Sequence, residues 1–319
     1  MTNDFASNAL SRSSETTQLG RKSLQLCAKL TMVPMFLAIL SMLNLSLRAD
    51  AQQSSNAIGS SKTTLQAQPA HESAPEQSED SAAKDAAQNP VAAAISVPFQ
   101  NNTYYGVGPY RRAENVLLVE PVIPFRISRK WMIITRTIVP VEVVPRLSPT
   151  EPVDYSLGNL QPQFYLSPVR TSKLIWGAGP QLWLPTATDS TLGTNKWGGG
   201  PAIVGLVRQG HWLGGSLLSD EFAGVNHKHI NQMTFNPFLF YNMSHGWYFV
   251  SAPIITSDWT VARSTRWTVP LGGGVGRVFK IGRQPLNART QFLNDVRTTT
   301  GGPDWQLQTQ LQLLFIKKR

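Results

Sequence analysis

The side chains best able to do chemistry near neutral pH in this 319-residue chain are five histidines and one cysteine. His227 and His229 flank Lys228. Two imidazoles at that spacing leave a strand on the same face and could hold a metal. Asp220 and Glu221 stand nearby, but no third ligand follows at close spacing, and solvated loop histidines account for the pair. Ser244 and His245 are adjacent. A hydrolytic nucleophile needs its base brought across space, which adjacency does not supply, and no Gly-x-Ser-x-Gly elbow is present. His211 and His245 fall in short polar turns. The run Gly272-Gly273-Gly274-Val275-Gly276 lacks the Lys-Ser/Thr of a phosphate cradle, so close strand packing explains it. Cys27 precedes the expected export cleavage site, leaving a mature chain without thiols. That excludes a disulfide scaffold and thiolate metal sites, and it fits an oxidising compartment. The reading is therefore of a protein that is not an enzyme, with no catalytic residues, metal or cofactor.

The elements around these residues begin with an export signal. Arg21, Lys22 and Lys29 precede an apolar run over 30–47, and Ala49-Asp50-Ala51 offers a small-residue cleavage site. The alternative is an anchor helix, for which the run has about the minimum length. Pro34 and Asn44 interrupt it, and no cysteine follows that would mark a lipoprotein. Residues 1–51 are read as a signal peptide with a long n-region, cleaved near Ala51. Residues 52–90 are rich in Ser, Ala, Gln, Glu and Asp and poor in large apolar side chains. Such a segment cannot bury enough surface to order itself and reads as a disordered spacer. Asn89-Pro90 suggests a cap for a short helix over 91–95. The chain carries a formal +10, concentrated in 91–319, where the basic residues are scattered with no long run beyond the terminal Lys317-Lys318-Arg319. That distribution suits a pore or a lipid-facing surface and gives no reason to expect nucleic acid.

From residue 91 to 319 the pattern becomes that of strands. Trp305, Leu307, Thr309, Leu311, Leu313 and Phe315 alternate with Gln306, Gln308, Gln310 and Gln312. Period-two alternation puts the two sets on opposite faces of a sheet. The same parity opposes Glu120 and Arg126 to Ile123 and Phe125, and Arg136 and Glu142 to Trp131 and Ile133. It opposes Gln161 and Gln163 to Phe164 and Leu166, and Gln181 to Trp176 and Leu182. Gln232 and Asn236 oppose Phe235 and Leu239, and Arg289, Gln291 and Asp295 oppose Ala288 and Phe292. The Gly-rich stretches around 197–222 and 265–280 leave their faces unassigned.

A soluble sandwich and a membrane barrel give the same alternation. The connections distinguish them. Short turns near 128–130, 168–172, 209–211, 244–246 and 281–284 alternate with longer loops near 143–156, 185–196, 220–229, 260–265 and 298–304. Short turns at one rim and long loops at the other are the habit of outer-membrane barrels. The tryptophans fall at strand ends: Trp131, Trp176, Trp212 and Trp247 after short turns, and Trp183, Trp197, Trp259, Trp267 and Trp305 beside long loops. Two such belts are expected at the interfaces between lipid and water. The count predicts an all-β fold, an antiparallel transmembrane β-barrel of about twelve strands, with ten as the alternative. Outer-membrane lipid is then the partner, and the polar faces named above are the lumen-lining candidates. Prolines at 121, 124, 140, 162, 180, 201, 237, 253 and 270 fall within strands, where the missing N–H predicts bulges or bends.

Five runs carry a resemblance: Ile95 to Asn102, Pro121 to Phe125, Leu174 to Gly177, Leu184 to Asp189, and Pro270 to Gly276. They resemble a bacterial outer-membrane family labelled transporter or, misleadingly, neuromedin U, similar to the outer-membrane group of the meta pathway of phenol degradation. The resemblance spans about 89–316. It implies a barrel in the cell outer membrane that passes small organic solutes, hydrophobic or aromatic ones among them, and it supplies no catalytic residues. The alternative is a structural or surface barrel filled by its own side chains. Arg126, Arg136 and Arg289 on the inward face lead to the expectation of mild anion preference in any pore. Neither the solute nor the oligomeric state follows from the sequence.

Overall fold

In the computed structural model of the chain, residues 73–144, 154–169, 173–188, 196–223 and 230–316 are described. Residues 1–51, read as a signal peptide, residues 52–72, His227, His229 and the terminal Lys317-Lys318-Arg319 lie outside the described residues, as do parts of three long loops.

One helix, α1 (Ser73–Gln88), precedes fifteen strand segments. They are β1 (Ile95–Val107), β2 (Arg112–Val119), β3 (Val122–Arg126), β4 (Trp131–Val144), β5 (Asp154–Leu157) and β6 (Gln161–Pro168). The order continues with β7 (Leu174–Trp183), β8 (Gly198–Gln209), β9 (Trp212–Ala223), β10 (Ile230–Asn242) and β11 (Trp247–Ser251). It ends with β12 (Ile255–Asp258), β13 (Trp267–Ile281), β14 (Gln284–Arg297) and β15 (Trp305–Phe315). Each strand pairs antiparallel with its sequence neighbours, and β1 returns to pair with β15. Three strands are each split in two: β2 with β3, β5 with β6, and β11 with β12. The sheet is thus a closed antiparallel barrel of twelve strands.

The closing seam runs in unbroken register from Ile95 opposite Phe315 to Tyr105 opposite Trp305. Closure leaves no free edge, and inside a hydrocarbon layer it lets the strands satisfy one another's backbone groups. Both ends of the barrel segment lie at the rim of the short turns. Gly210-His211 and Gly282-Arg283 make two of those turns, with Gly210 and Gly282 at positive φ, a conformation that costs a Cβ-less residue little.

Prolines account for two of the three strand breaks. Pro121 lies between β2 and β3, and Pro253 between β11 and β12. The first break stays bonded, because the Glu120 N–H donates to the Pro98 carbonyl and the Thr137 N–H to the Pro121 carbonyl. A register shift falls between Val269 and Pro270. The other prolines hold their places in the ladder, and Pro180 faces Pro201 directly across β7 and β8.

Two expectations for the N-terminal part are corrected. The helix is not over 91–95 but upstream, at Ser73–Gln88, inside the stretch read as a disordered spacer. Asn89 does not cap a helix there. Its Oδ1 accepts from the Val91 N–H in the turn that leads to β1. The segment lacks apolar mass of its own, but Ala83 and Ala86 bury against Leu314 on the barrel's inner wall, which supplies the missing surface. No helix among the described residues is long and apolar enough to cross a membrane.

The outer face is apolar along its middle, with Ile123, Phe125, Leu166, Ile203, Leu239 and Phe292 all exposed. Ile203 sits at the centre of β8 and is 51% exposed on that face. In a lipid-embedded barrel, arginine at such a depth costs about 2–4 kcal/mol. Ile203→Arg is therefore expected to lower the urea unfolding midpoint of barrels refolded in phospholipid vesicles by that equivalent. A midpoint equal to that of the unmodified protein would show that this face does not meet hydrocarbon.

Candidate functional site

The alternation that turns leucines outward turns amides inward. On β15, Gln306, Gln308, Gln310 and Gln312 are all buried in the interior, and Gln291 and Asn287 on β14 join them. The amides bond one another across strands. Gln291 donates to Gln308 at 2.5 Å, Asn287 to Gln312 at 3.1 Å, and Gln306 to Asp295 at 3.1 Å. A carboxamide carries both donors and an acceptor, so a ladder of them can satisfy itself without water. Gln100 and Asn102 on β1 extend this amide wall across the seam.

A second polar group lies on the facing strands. Arg136 on β4 pairs with Glu120 at 2.9 Å and donates to Gln163 at 3.2 Å. Gln163 donates to Gln181 at 2.5 Å, and Gln181 donates to Glu221. Glu142, Gln161, Gln232 and Asn236 share the inward parity and are half-buried, with Asn236 donating to the Pro253 carbonyl at 2.6 Å. Arg126 keeps the inward parity but ends β3 at the short-turn rim, where it is exposed. Arg289 lies on the amide wall and donates to Gln100 at 2.8 Å.

The interior is only half polar. Val204 and Leu206 on β8, Leu213 and Leu217 on β9, Phe238 and Phe240 on β10, and Tyr248 and Val250 on β11 are buried facing inward. None of these was among the expected lumen residues. The available signal was the loss of alternation: Ala202, Ile203, Val204, Leu206 and Val207 are apolar on both faces, which marks a strand covered on both sides. Tyr248 lies against Gly276, where any Cβ would meet its ring, and its hydroxyl donates to Asn287 at 2.6 Å. That bond joins the apolar wall to the amide wall.

Helix α1 sits in the short-turn end of this interior. Asp85 pairs with Arg208 at 2.7 Å, Asp80 with Lys280 at 2.8 Å, and Gln88 exchanges amide hydrogen bonds with Asn242. Beyond its C-terminal end a cavity of about 120 Å³ lies between the walls, bounded by Gln88, Gln100, Arg136, Arg289, Phe238 and Phe240.

Most of the tryptophans lie on the outward parity at strand ends. Trp131 meets Trp176 edge to face at 6.1 Å near the short turns, and Trp212 is exposed at the same rim. At the long-loop rim Trp259 meets Trp267 at 5.8 Å, Trp305 stacks on Tyr105 at 3.8 Å, and Trp197 is exposed. The Arg277 guanidinium lies 5.2 Å from the Trp247 ring. Trp183 differs. It shares its parity with buried Gln181 and faces inward, because the girdle assignment rested on its strand-end position and overlooked the alternation. Ser244 and His245 form the single turn joining β10 to β11, and His211 sits in the turn before β9.

A closed twelve-strand barrel with an apolar outside, aromatic ends and a hydrogen-bonded interior defines the class of outer-membrane-type β-barrels. No protein-family model matches the chain, and no curated protein matches it. Among solved structures, an outer membrane channel from Pseudomonas putida F1 superposes with a TM-score of 0.55 at 15% identity, covering 72% of this chain and 98% of that one. The outer membrane phospholipase A from Escherichia coli gives a TM-score of 0.38 at 11% identity, covering 70% and 97%. A Pseudomonas aeruginosa FadL homologue gives 0.32 at 8%, covering 70% and 89%. The likeness to the Pseudomonas putida channel is one of fold.

The Glu120–Arg136 pair is an ion pair largely buried in the interior. Removing the carboxylate leaves a largely desolvated guanidinium without its counter-charge, at a cost of about 3–5 kcal/mol. Glu120→Ala is expected to lower unfolding stability by that amount, and Glu120→Ala with Arg136→Met to recover most of it. Equal losses in the single and double variants, read from urea titrations of the folded barrel, would show that the pair is not coupled.

Proposed function

We propose that the chain is an outer-membrane channel for small organic solutes, held closed by its own helix α1. The observation that carries this reading is the two-sided interior. An amide wall faces an apolar wall, and a cavity remains between them where a structural barrel would need only filling. A solute with a polar end and an apolar body would find a partner on each side. Charged contacts from the middle of the helix and its last turns hold it in the short-turn end, and they are partly exposed, so their rupture is inexpensive. The likeness to a solved outer membrane channel agrees with the reading at the level of fold. The reading includes no chemical step.

A barrel filled by its own side chains is the second reading. It is favoured by the tight amide ladder and by a cavity that holds only a few waters. Planar-bilayer recordings separate the two. The unmodified protein is expected to show small, infrequent openings, and Asp80→Asn with Asp85→Asn to raise the mean conductance several-fold by loosening the helix. Silence in both proteins, together with no swelling of liposomes in small neutral solutes, would assign the barrel a structural role.

A further inference from the structure

We propose that the interior cavity is a binding subsite for a small organic monocarboxylate, a carboxylate on an apolar body about the size of a benzene ring, anchored by Arg289. The inference deepens the channel reading by naming a solute class for the same interior, and it rests on that reading only for how the solute arrives.

Three charged side chains line the cavity: Glu120, Arg136 and Arg289. Glu120 is committed to Arg136 at 2.9 Å. Arg289 has no carboxylate partner among the described residues. Its one side-chain acceptor is the neutral Gln100 oxygen, and its buried Nε has none. The lining therefore carries one uncompensated positive charge. A desolvated charge of this kind is costly until an anion reaches it. A carboxylate suits it better than a point anion, because the guanidinium fork takes two oxygens side by side.

The same cavity is lined by Phe238, Phe240, Leu217, Ala252 and Ile254, none of which can donate a hydrogen bond from its side chain. A bare inorganic anion would leave that wall unmatched. Gln308 and Gln310, beside Arg289, supply amide donors for a second carboxylate oxygen. The cavity of about 120 Å³ is close to the ~150 Å³ of an apolar cavity that takes up benzene. It therefore excludes long-chain amphiphiles in the closed state and accepts a ring-sized body.

The test uses the full mature protein refolded in detergent micelles, with folding verified by gel mobility before and after heating. Calorimetric titrations with benzoate, its neutral isostere benzamide, and inorganic phosphate are run on the unmodified protein and on Asp80→Asn with Asp85→Asn, so that access through the helix does not limit the result. Benzoate is expected to bind at least tenfold more tightly than benzamide or phosphate. Arg289→Gln is expected to lower benzoate affinity at least tenfold without changing that of benzamide, and Arg289→Lys to lower it less. Glu120→Gln, which removes the compensating anion, is expected to raise benzoate affinity. Equal binding of benzoate and benzamide, phosphate binding as tight as benzoate, or an Arg289→Gln protein with undiminished affinity overturns the proposal. A conducting barrel with no benzoate binding rejects the subsite and leaves the channel. Benzoate binding in a barrel that never conducts rejects the channel and leaves the subsite.

Discussion

Everything in this molecule depends on the β1–β15 seam. Backbone N–H and C=O groups within a hydrocarbon layer have no water to turn to, so a sheet that crosses it must close on itself. The register from Ile95 opposite Phe315 to Tyr105 opposite Trp305 performs that closure. Closure also removes freedom. Once the ring is complete, a slip of one residue in any strand would exchange its lipid face for its interior face, so the parity of each strand constrains the rest. The two proline-containing breaks, at Pro121 and Pro253, interrupt strands without opening the ring: backbone bonds hold the chain around Pro121, and the Asn236 and Gln291 side chains hold it around Pro253.

The interior that closure creates has to satisfy itself. The amide wall does so through the dual character of the carboxamide: Gln291 donates to Gln308 and accepts from the Ala252 N–H, and Gln312 accepts from Asn287 and donates to the Ala86 carbonyl. The apolar wall does so by packing, and Tyr248 ties the two together through Asn287. Charge is distributed along the axis as well. Acidic Glu114, Glu142, Glu221 and Asp295 sit near the ends of strands that run to the long-loop rim, while Arg208 and Lys280 sit near the short turns and meet the acidic helix. The interior is therefore no uniform basic tube, although the barrel segment has a large excess of Lys and Arg. The cavity lies between these regions, and there Arg289 stands without a carboxylate.

Helix α1 shows how context changes what a composition permits. A polar, alanine-rich segment has little reason to order by itself, since a short helix in water seldom gains enough from its own hydrogen bonds. Inside the barrel it meets a wall already built. Small side chains at Ala83 and Ala86 allow close approach to Leu314, and Asp80, Asp85 and Gln88 find partners on three different strands. Small residues fit where larger ones would be excluded by the lumen.

The sequence alone determined the parity of the alternating strands and a count of about twelve. Lipid requires an apolar outward residue at every second position, so Leu307, Leu311 and Phe292 marked one face and Gln308, Gln312 and Gln291 the other. Turn residues at alternating short and long spacings marked the number of strands. What the sequence could not express is which inward residues meet. Glu120 and Arg136 were both legible as interior charges, yet only the pairing of β3 with β4 carries them together, and Arg289 is left over only because that pairing leaves it so. The apolar wall was hidden because strands covered on both faces lose the alternation by which faces are read. Trp183 was misplaced because a position at a strand end says nothing about the direction a side chain takes. The helix was hidden because its stabilising surface belongs to strands about two hundred residues away in the chain, and such contacts exist only once the ring has closed.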